Sequence, residues 1–195
     1  MSSLPKKISD PPLTSGGKPE VLFVGGEFCP YCAAERWSLV QALSRFGTFS
    51  NLSEVSSSST DVDPNTPTFS FYKSKYTSKD VAFVPVENED RSQHQLVPMT
   101  AAEQRLFTKY TTGFPFVYFG GKYVVTSPSF DPKVLKGLTQ TQVASQLNDP
   151  NSNVAKAVDG TANALTAAIC SMTNNQPTKA CLTPAVTNLQ SQLNA

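Results

Sequence analysis

Apolar residues along this chain change their spacing in a readable order. "VLFVGG", Val21 to Gly26, is a short run of mostly β-branched and apolar residues closed by two glycines, the pattern of a strand buried on both faces. "AAERWSLVQALSRFG" then places apolar side chains at Ala33, Trp37, Val40 and Leu43, a helical period, with Gly47 set to end it. Ser-rich, Asp-Pro and Thr-Pro turns follow, leading to an aromatic strand around Thr68 to Tyr72 and another in "KDVAFVPVEN". From Thr100 to Tyr110 a Thr and a Glu stand at capping-box spacing ahead of a helix. "TTGFPFVYFGGKYVV" reads as strand, Gly-Gly turn and strand, hence a hairpin. Beyond it come helices with start signals at Asp131-Pro132 and Thr139. The order is that of an α/β domain with a central mixed sheet flanked by helices, an enlarged middle and a helical C-terminal extension.

The expected organisation follows from these breaks. Residues 1–19 read as a flexible lead-in or linker and 20–181 as the domain, within which about 49–99 form an enlarged insertion and about 131–181 a helical region. Residues 182–195 read as a tail or short helix.

Charge narrows the partners. Sixteen Lys and Arg against fifteen Asp and Glu leave a formal charge of +1, and neither sign forms a long run, which argues against nucleic acid or an anionic membrane surface as partner. Nothing approaches a continuous apolar stretch long enough to span a bilayer, and the first residues lack the apolar region of a signal peptide. Charged residues make up only 16% of the chain, a composition that leans toward an extracytoplasmic protein.

The chemistry concentrates in "EFCPYC", residues 27 to 32, at the predicted strand-to-helix junction. A cysteine at a helix start faces free backbone N–H groups and the positive end of the helix dipole, both of which favour thiolate. Cys29 is therefore the expected nucleophile, and Pro30 suits the first helical turn because its missing N–H would have had no partner there. Cys32, three residues on, lies close enough to resolve a mixed disulfide on Cys29. An inert staple and half of a zinc site are the competing readings. Zinc needs a second closely spaced pair, whereas Cys170 and Cys181 are far apart and His94 sits in an unrelated loop, so neither a metal nor any other cofactor is expected.

Strand, Cys-Pro-Tyr-Cys, helix resembles the thioredoxin superfamily, and the Pro-Tyr dipeptide is the glutaredoxin type. That resemblance implies a thioredoxin-like fold and a cis-proline at Pro115, with Phe114 and Pro115 facing Cys29 and holding substrate backbone. It departs from glutaredoxins in the long segment between Cys32 and Pro115 and in Gly113-Phe114 before the proline, which argues against glutathione as the natural thiol. "KPEVLFVGGEFCPYCAAERWSLVQALSRFGTFSNL", "DVDPNTPTFSFY", "YTSKDVAFVPVE" and "AVDGTANALTAAIC" resemble an uncharacterised prokaryotic family catalogued as a domain of unknown function. Membership would imply a membrane tether and a location outside the cytoplasm.

Glu27 is a candidate proton relay for the deeper thiol, against the reading of a surface carboxylate. Tyr31 should border the site and shape the surface that meets a partner. Glu35 and Arg36 read as solvated charges and Trp37 as core. Cys170 and Cys181 bracket a polar loop and suit a structural disulfide rather than a second redox shuttle. The expected function is an extracytoplasmic thiol–disulfide oxidoreductase acting on protein thiols and disulfides, with a membrane redox partner as possible recycler. The alternative is a non-catalytic binding module with structural disulfides, its function carried by the insertion.

Overall fold

The computed structural model describes residues 3–194. Its centre is strand β3 (Lys18–Gly26), preceded by the two-residue strands β1 (Lys6–Lys7) and β2 (Thr14–Ser15). Helix α1 (Pro30–Ser44) follows, then β4 (Gly47–Ser50), β5 (Ser53–Ser56), β6 (Pro67–Ser70), β7 (Lys75–Ser78) and β8 (Ala82–Glu89). Helix α2 (Ala101–Tyr110) leads to β9 (Phe116–Phe119) and β10 (Tyr123–Val125). A 3₁₀ turn (Pro132–Leu135) then precedes α3 (Gln140–Leu147), α4 (Asn153–Met172), α5 (Thr178–Cys181) and α6 (Pro184–Asn194). Among the described residues, no helix is long and apolar enough to cross a membrane.

The main sheet is mixed. β8 runs parallel to β3 on one side, while β9 is antiparallel to it on the other and continues through β10 to β1. Alternation along β3 divides the core between two faces. Val21 and Phe23 join Leu39 and Leu43 of α1 and Leu165 and Ile169 of α4. Leu22 and Val24 join Phe107 of α2 together with Phe116 and Tyr118. Each such fully buried side chain is worth about 1.5–3 kcal/mol relative to exposure, so the sheet is fixed from both sides. The β4–β7 and β5–β6 pairs form separate two-stranded ribbons beside it.

Local signals explain the helix starts. Thr100 and Thr139 form capping boxes with Glu103 and Gln142, and Ser152 caps α4 through the Ala155 N–H. α1 ends at Ser44 with Arg45 in right-handed geometry rather than on a glycine, and Gly47 instead opens β4, where a Cβ would lie 2.3 Å from the Thr77 carbonyl oxygen.

Three expectations are corrected. The segment 1–19 is not a flexible lead-in over its described part. β1 pairs with β10, Ile8 and Leu13 pack on the α2 face, and the Asp10 carboxylate receives Lys109 Nζ, Tyr110 OH and Tyr118 OH at 2.5, 2.5 and 2.9 Å. Nor is all of 49–99 an insertion, because β8 is the parallel neighbour of β3 in the main sheet. Finally, Glu35 and Arg36 are fully buried. α1 is covered on nearly every side: Trp37 Nε1 donates to the Pro67 carbonyl at 2.8 Å, Thr68 Oγ1 to that of Ala33 at 2.9 Å, and Ser38 Oγ to that of Val158 at 3.0 Å. A helix enclosed all round has no solvated face on which to place a charge.

Candidate active site

β3 delivers the chain to the end of the sheet at Gly26, and Cys29 begins the helix there. Cys29 is the N-cap of α1, with extended φ and ψ of −78° and 120°, and Pro30 fills the first turn. The Cys29 sulfur accepts the backbone N–H of Cys32 at 3.3 Å, which satisfies one of the free donors of the helix start. The two thiols are free; Cys29 is 5% exposed and Cys32 wholly buried.

Room for this arrangement comes from the glycines. A Cβ on Gly25 would stand 2.5 Å from the Phe23 ring and 3.1 Å from the Cys32 sulfur, and one on Gly26 would stand 2.6 Å from the Phe28 ring. Neither glycine has a left-handed backbone; each is needed for close approach.

Electrostatics separate the two thiols. A hydrogen bond from the Cys32 thiol, reinforced by the Cys32 N–H, the Arg36 charge and the Tyr31 N–H, holds Cys29 below the ordinary thiol value despite burial. Burial pushes the Cys32 thiol well above that value, its hydrogen bond and proximity to Cys29 add to this, and Arg36 with the Gly26 N–H pulls it partly back. A low outer thiol and a high inner one are the division of labour that nucleophile and resolving cysteine require.

Beneath the pair lies a buried ion pair. Arg36 Nε and Nη2 donate to the two Glu87 carboxylate oxygens at 2.9 and 2.6 Å, and Nη2 also donates to the Gly26 carbonyl at 2.8 Å. Glu87 reaches it from β8, where it stands opposite Gly25, and it accepts the Phe71 N–H at 3.0 Å as well. Burial alone would lower the Arg36 value, but Glu87 ahead of the two cysteines outweighs it and leaves the guanidinium firmly charged. Sequence reasoning missed this pair. Its available signal was spacing: Cys29, Cys32 and Arg36 stand at i, i+3 and i+7, one face of a helix.

The other predicted residues fall around the thiols in different ways. The Phe114-Pro115 peptide is cis, as is Gln176-Pro177. The β3–β9 pairing stops at Val24 and Phe116, so Phe114 and Pro115 lie at the sheet end where Gly25 and Gly26 lead to Cys29. The Phe114 ring meets the edge of Phe28, with centroids 6.4 Å apart. Tyr31 is 38% exposed and borders a cleft of about 240 Å³ with Asp63, Pro128 and Phe130. Glu27 is half-buried and accepts the Ser70 hydroxyl; among the described residues no hydrogen bond joins it to either cysteine. The carboxylate that does lie under the site is Glu87. Glu35, on the other side of α1, accepts the Ser129 N–H and hydroxyl at 3.0 and 3.2 Å, and burial raises its value to about 7.

Cys170 and Cys181 lie apart from all of this, joined in a disulfide with Cα atoms 5.5 Å apart between α4 and the end of α5. No curated protein and no solved structure matches the chain. A family profile does match, over residues 5–96 and 84–171, and the chain therefore belongs to the family described as a domain of unknown function, DUF929.

Proposed function

We propose that this chain is a thiol–disulfide oxidoreductase of thioredoxin-like fold, acting on protein thiols and disulfides outside the cytoplasm. The observation that carries the reading is the Cys29 sulfur at a helix N-cap, bonded to the Cys32 N–H and differing from the Cys32 thiol in the direction of its pKa shift. The strand order β8–β3–β9–β10, with β8 parallel and the next two antiparallel, supports the fold, as does a Cys-Pro-Tyr-Cys turn directly after β3.

In this mechanism the Cys29 thiolate attacks a substrate disulfide and forms a mixed disulfide. Cys32 then attacks Cys29, and the substrate leaves as a thiol. Run in reverse, the same steps donate a disulfide. Phe114 and Pro115 would dock the substrate strand, and Tyr31 would shape the approach. The buried Cys170–Cys181 bond supports an oxidising compartment, where such bonds persist. An oxidant there would be recycled by a membrane-bound redox partner.

A second reading, a non-catalytic binding module, is favoured by one observation: Cys29 is only 5% exposed. Trapping separates the two. Cys32→Ser protein mixed with a disulfide-containing substrate protein is expected to accumulate a covalent complex on Cys29 that dithiothreitol dissolves. Absence of any complex, together with no alkylation of Cys29 by iodoacetamide after mild reduction, would favour the binding module.

A further inference from the structure

Arginine carries N–H donors on three nitrogens, and at Arg36 two of those nitrogens are committed to Glu87 and the Gly26 carbonyl. The third, Nη1, is buried without a hydrogen-bond partner among the described residues. An unbonded buried donor on a charged group is costly, and native interiors seldom keep one without a use for it.

Its surroundings indicate the use. Arg36 stands four residues beyond Cys32, and long helical side chains lean toward the N-terminus, over the turn that holds Cys32. The guanidinium lies 5.4 Å from the centre of the Phe23 ring. The tip of that ring and the Cys32 sulfur both come within 3.1 Å of the space above Gly25. Guanidinium and inner sulfur thus converge on one aromatic ring from the same helix.

We propose that Arg36 is the positioning residue of the resolving step, its free Nη1 edge serving as the donor that receives the negative charge of the Cys32 sulfur when that thiol deprotonates. The inference rests on the oxidoreductase reading. In the step, Cys32 Sγ bonds to Cys29 Sγ while the bond from Cys29 to the substrate sulfur breaks. The substrate sulfur leaves with the electron pair and takes up the proton that Cys32 gives away; the two protein thiols are oxidised and the substrate disulfide is reduced. Glu87 fixes the guanidinium by two hydrogen bonds and offsets its charge, so that Cys32 stays a thiol until the step occurs. The charges acting on Cys32 are those of Cys29 and Arg36 on α1, and Glu87 on β8 bears on it through its ion pair with Arg36. β3 presents only the uncharged Gly25 and Gly26, while Glu27 and Glu35 are turned to Ser70 and Ser129.

The test uses the Cys29→Ser protein, in which Cys32 titrates alone and its thiolate is followed by ultraviolet absorbance. Glu87→Gln is expected to move that titration down by about one pH unit or more, because the arginine charge is no longer offset. Arg36→Met with Glu87→Met, which removes both charges together and avoids a lone buried ion, is expected to move it up by about as much. With Cys29 restored, the double variant should resolve the mixed disulfide about tenfold more slowly, a larger loss than in the first attack, where the Arg36 charge is a lesser influence on Cys29 than its bonds from Cys32. Circular dichroism melts establish that each variant folds. A folded double variant whose Cys32 titrates as in its parent would overturn the proposal. The titration needs no redox partner, so failure of the oxidoreductase reading would show separately, as absence of mixed disulfide in the wild-type protein.

Discussion

Two cysteine pairs lie in this molecule, one free at a helix start and the other closed in a disulfide. Cys29 and Cys32 are held at the first turn of α1, where the sulfur of the first accepts the N–H of the second and a buried arginine charge acts on both. Cys170 and Cys181 come from the end of α4 and the short helix α5, both without exposure, and are joined to each other. The difference teaches that reactivity is a property of where the sulfur meets the backbone and its charges, since closeness of two sulfurs is common to both pairs.

The largest effect that would sharpen the contrast is on stability. Replacing Cys170 and Cys181 together by Ser opens a covalent loop whose ends are 11 residues apart, and is expected to lower the unfolding free energy by about 3 kcal/mol in the chain-entropy model. Urea denaturation measures that loss, and trapping on Cys29 should be unaffected. A redox shuttle between the pairs would instead make trapping depend on both.

Glu35 gives the next effect. Its folded-state value of about 7 lies above the ordinary 4.5, so the folded protein binds the extra proton between those values. Stability from this group is therefore full below about pH 4.5 and falls as pH rises through about 7, by roughly 3 kcal/mol. Glu35→Gln should flatten that part of the stability-against-pH curve. A curve unchanged by the substitution would mean that Glu35 is ordinarily ionised in the fold.

The smallest effect separates the site from its scaffold. Gly25→Ala forces a methyl group against the Phe23 ring and the Cys32 sulfur, at a cost of about 1–3 kcal/mol. It should also disturb alkylation of Cys29, whereas Gly113→Ala, with no described atom within 4 Å of the added methyl, should leave both unchanged. Equal behaviour of the two variants in thermal melts would break the account of Gly25.

Local signals were legible in the chain. The strand ending in Gly25-Gly26, the start of α1 with Pro30, the two capping boxes and the β9–β10 hairpin all follow from spacings within a few residues. Contacts between distant segments were not. Arg36 and Glu87 each look solvent-seeking alone, and they are buried because each neutralises the other across α1 and β8. Asp10 likewise anchors the N-terminal segment through Lys109, Tyr110 and Tyr118, partners about a hundred residues away. A polar lead-in gives no sign of such partners. β8 hid inside an apparent insertion because parallel pairing to β3 leaves no turn signal between the two strands.

Whether Cys29 and Cys32 form a working redox pair is read from their equilibrium reduction potential against glutathione, with Cys29→Ser removing the signal. A working pair should exchange readily, with a potential between about −120 and −270 mV, the range of catalytic dithiols. A pair that does not exchange, or one that stays oxidised well below about −300 mV, would contradict the redox reading.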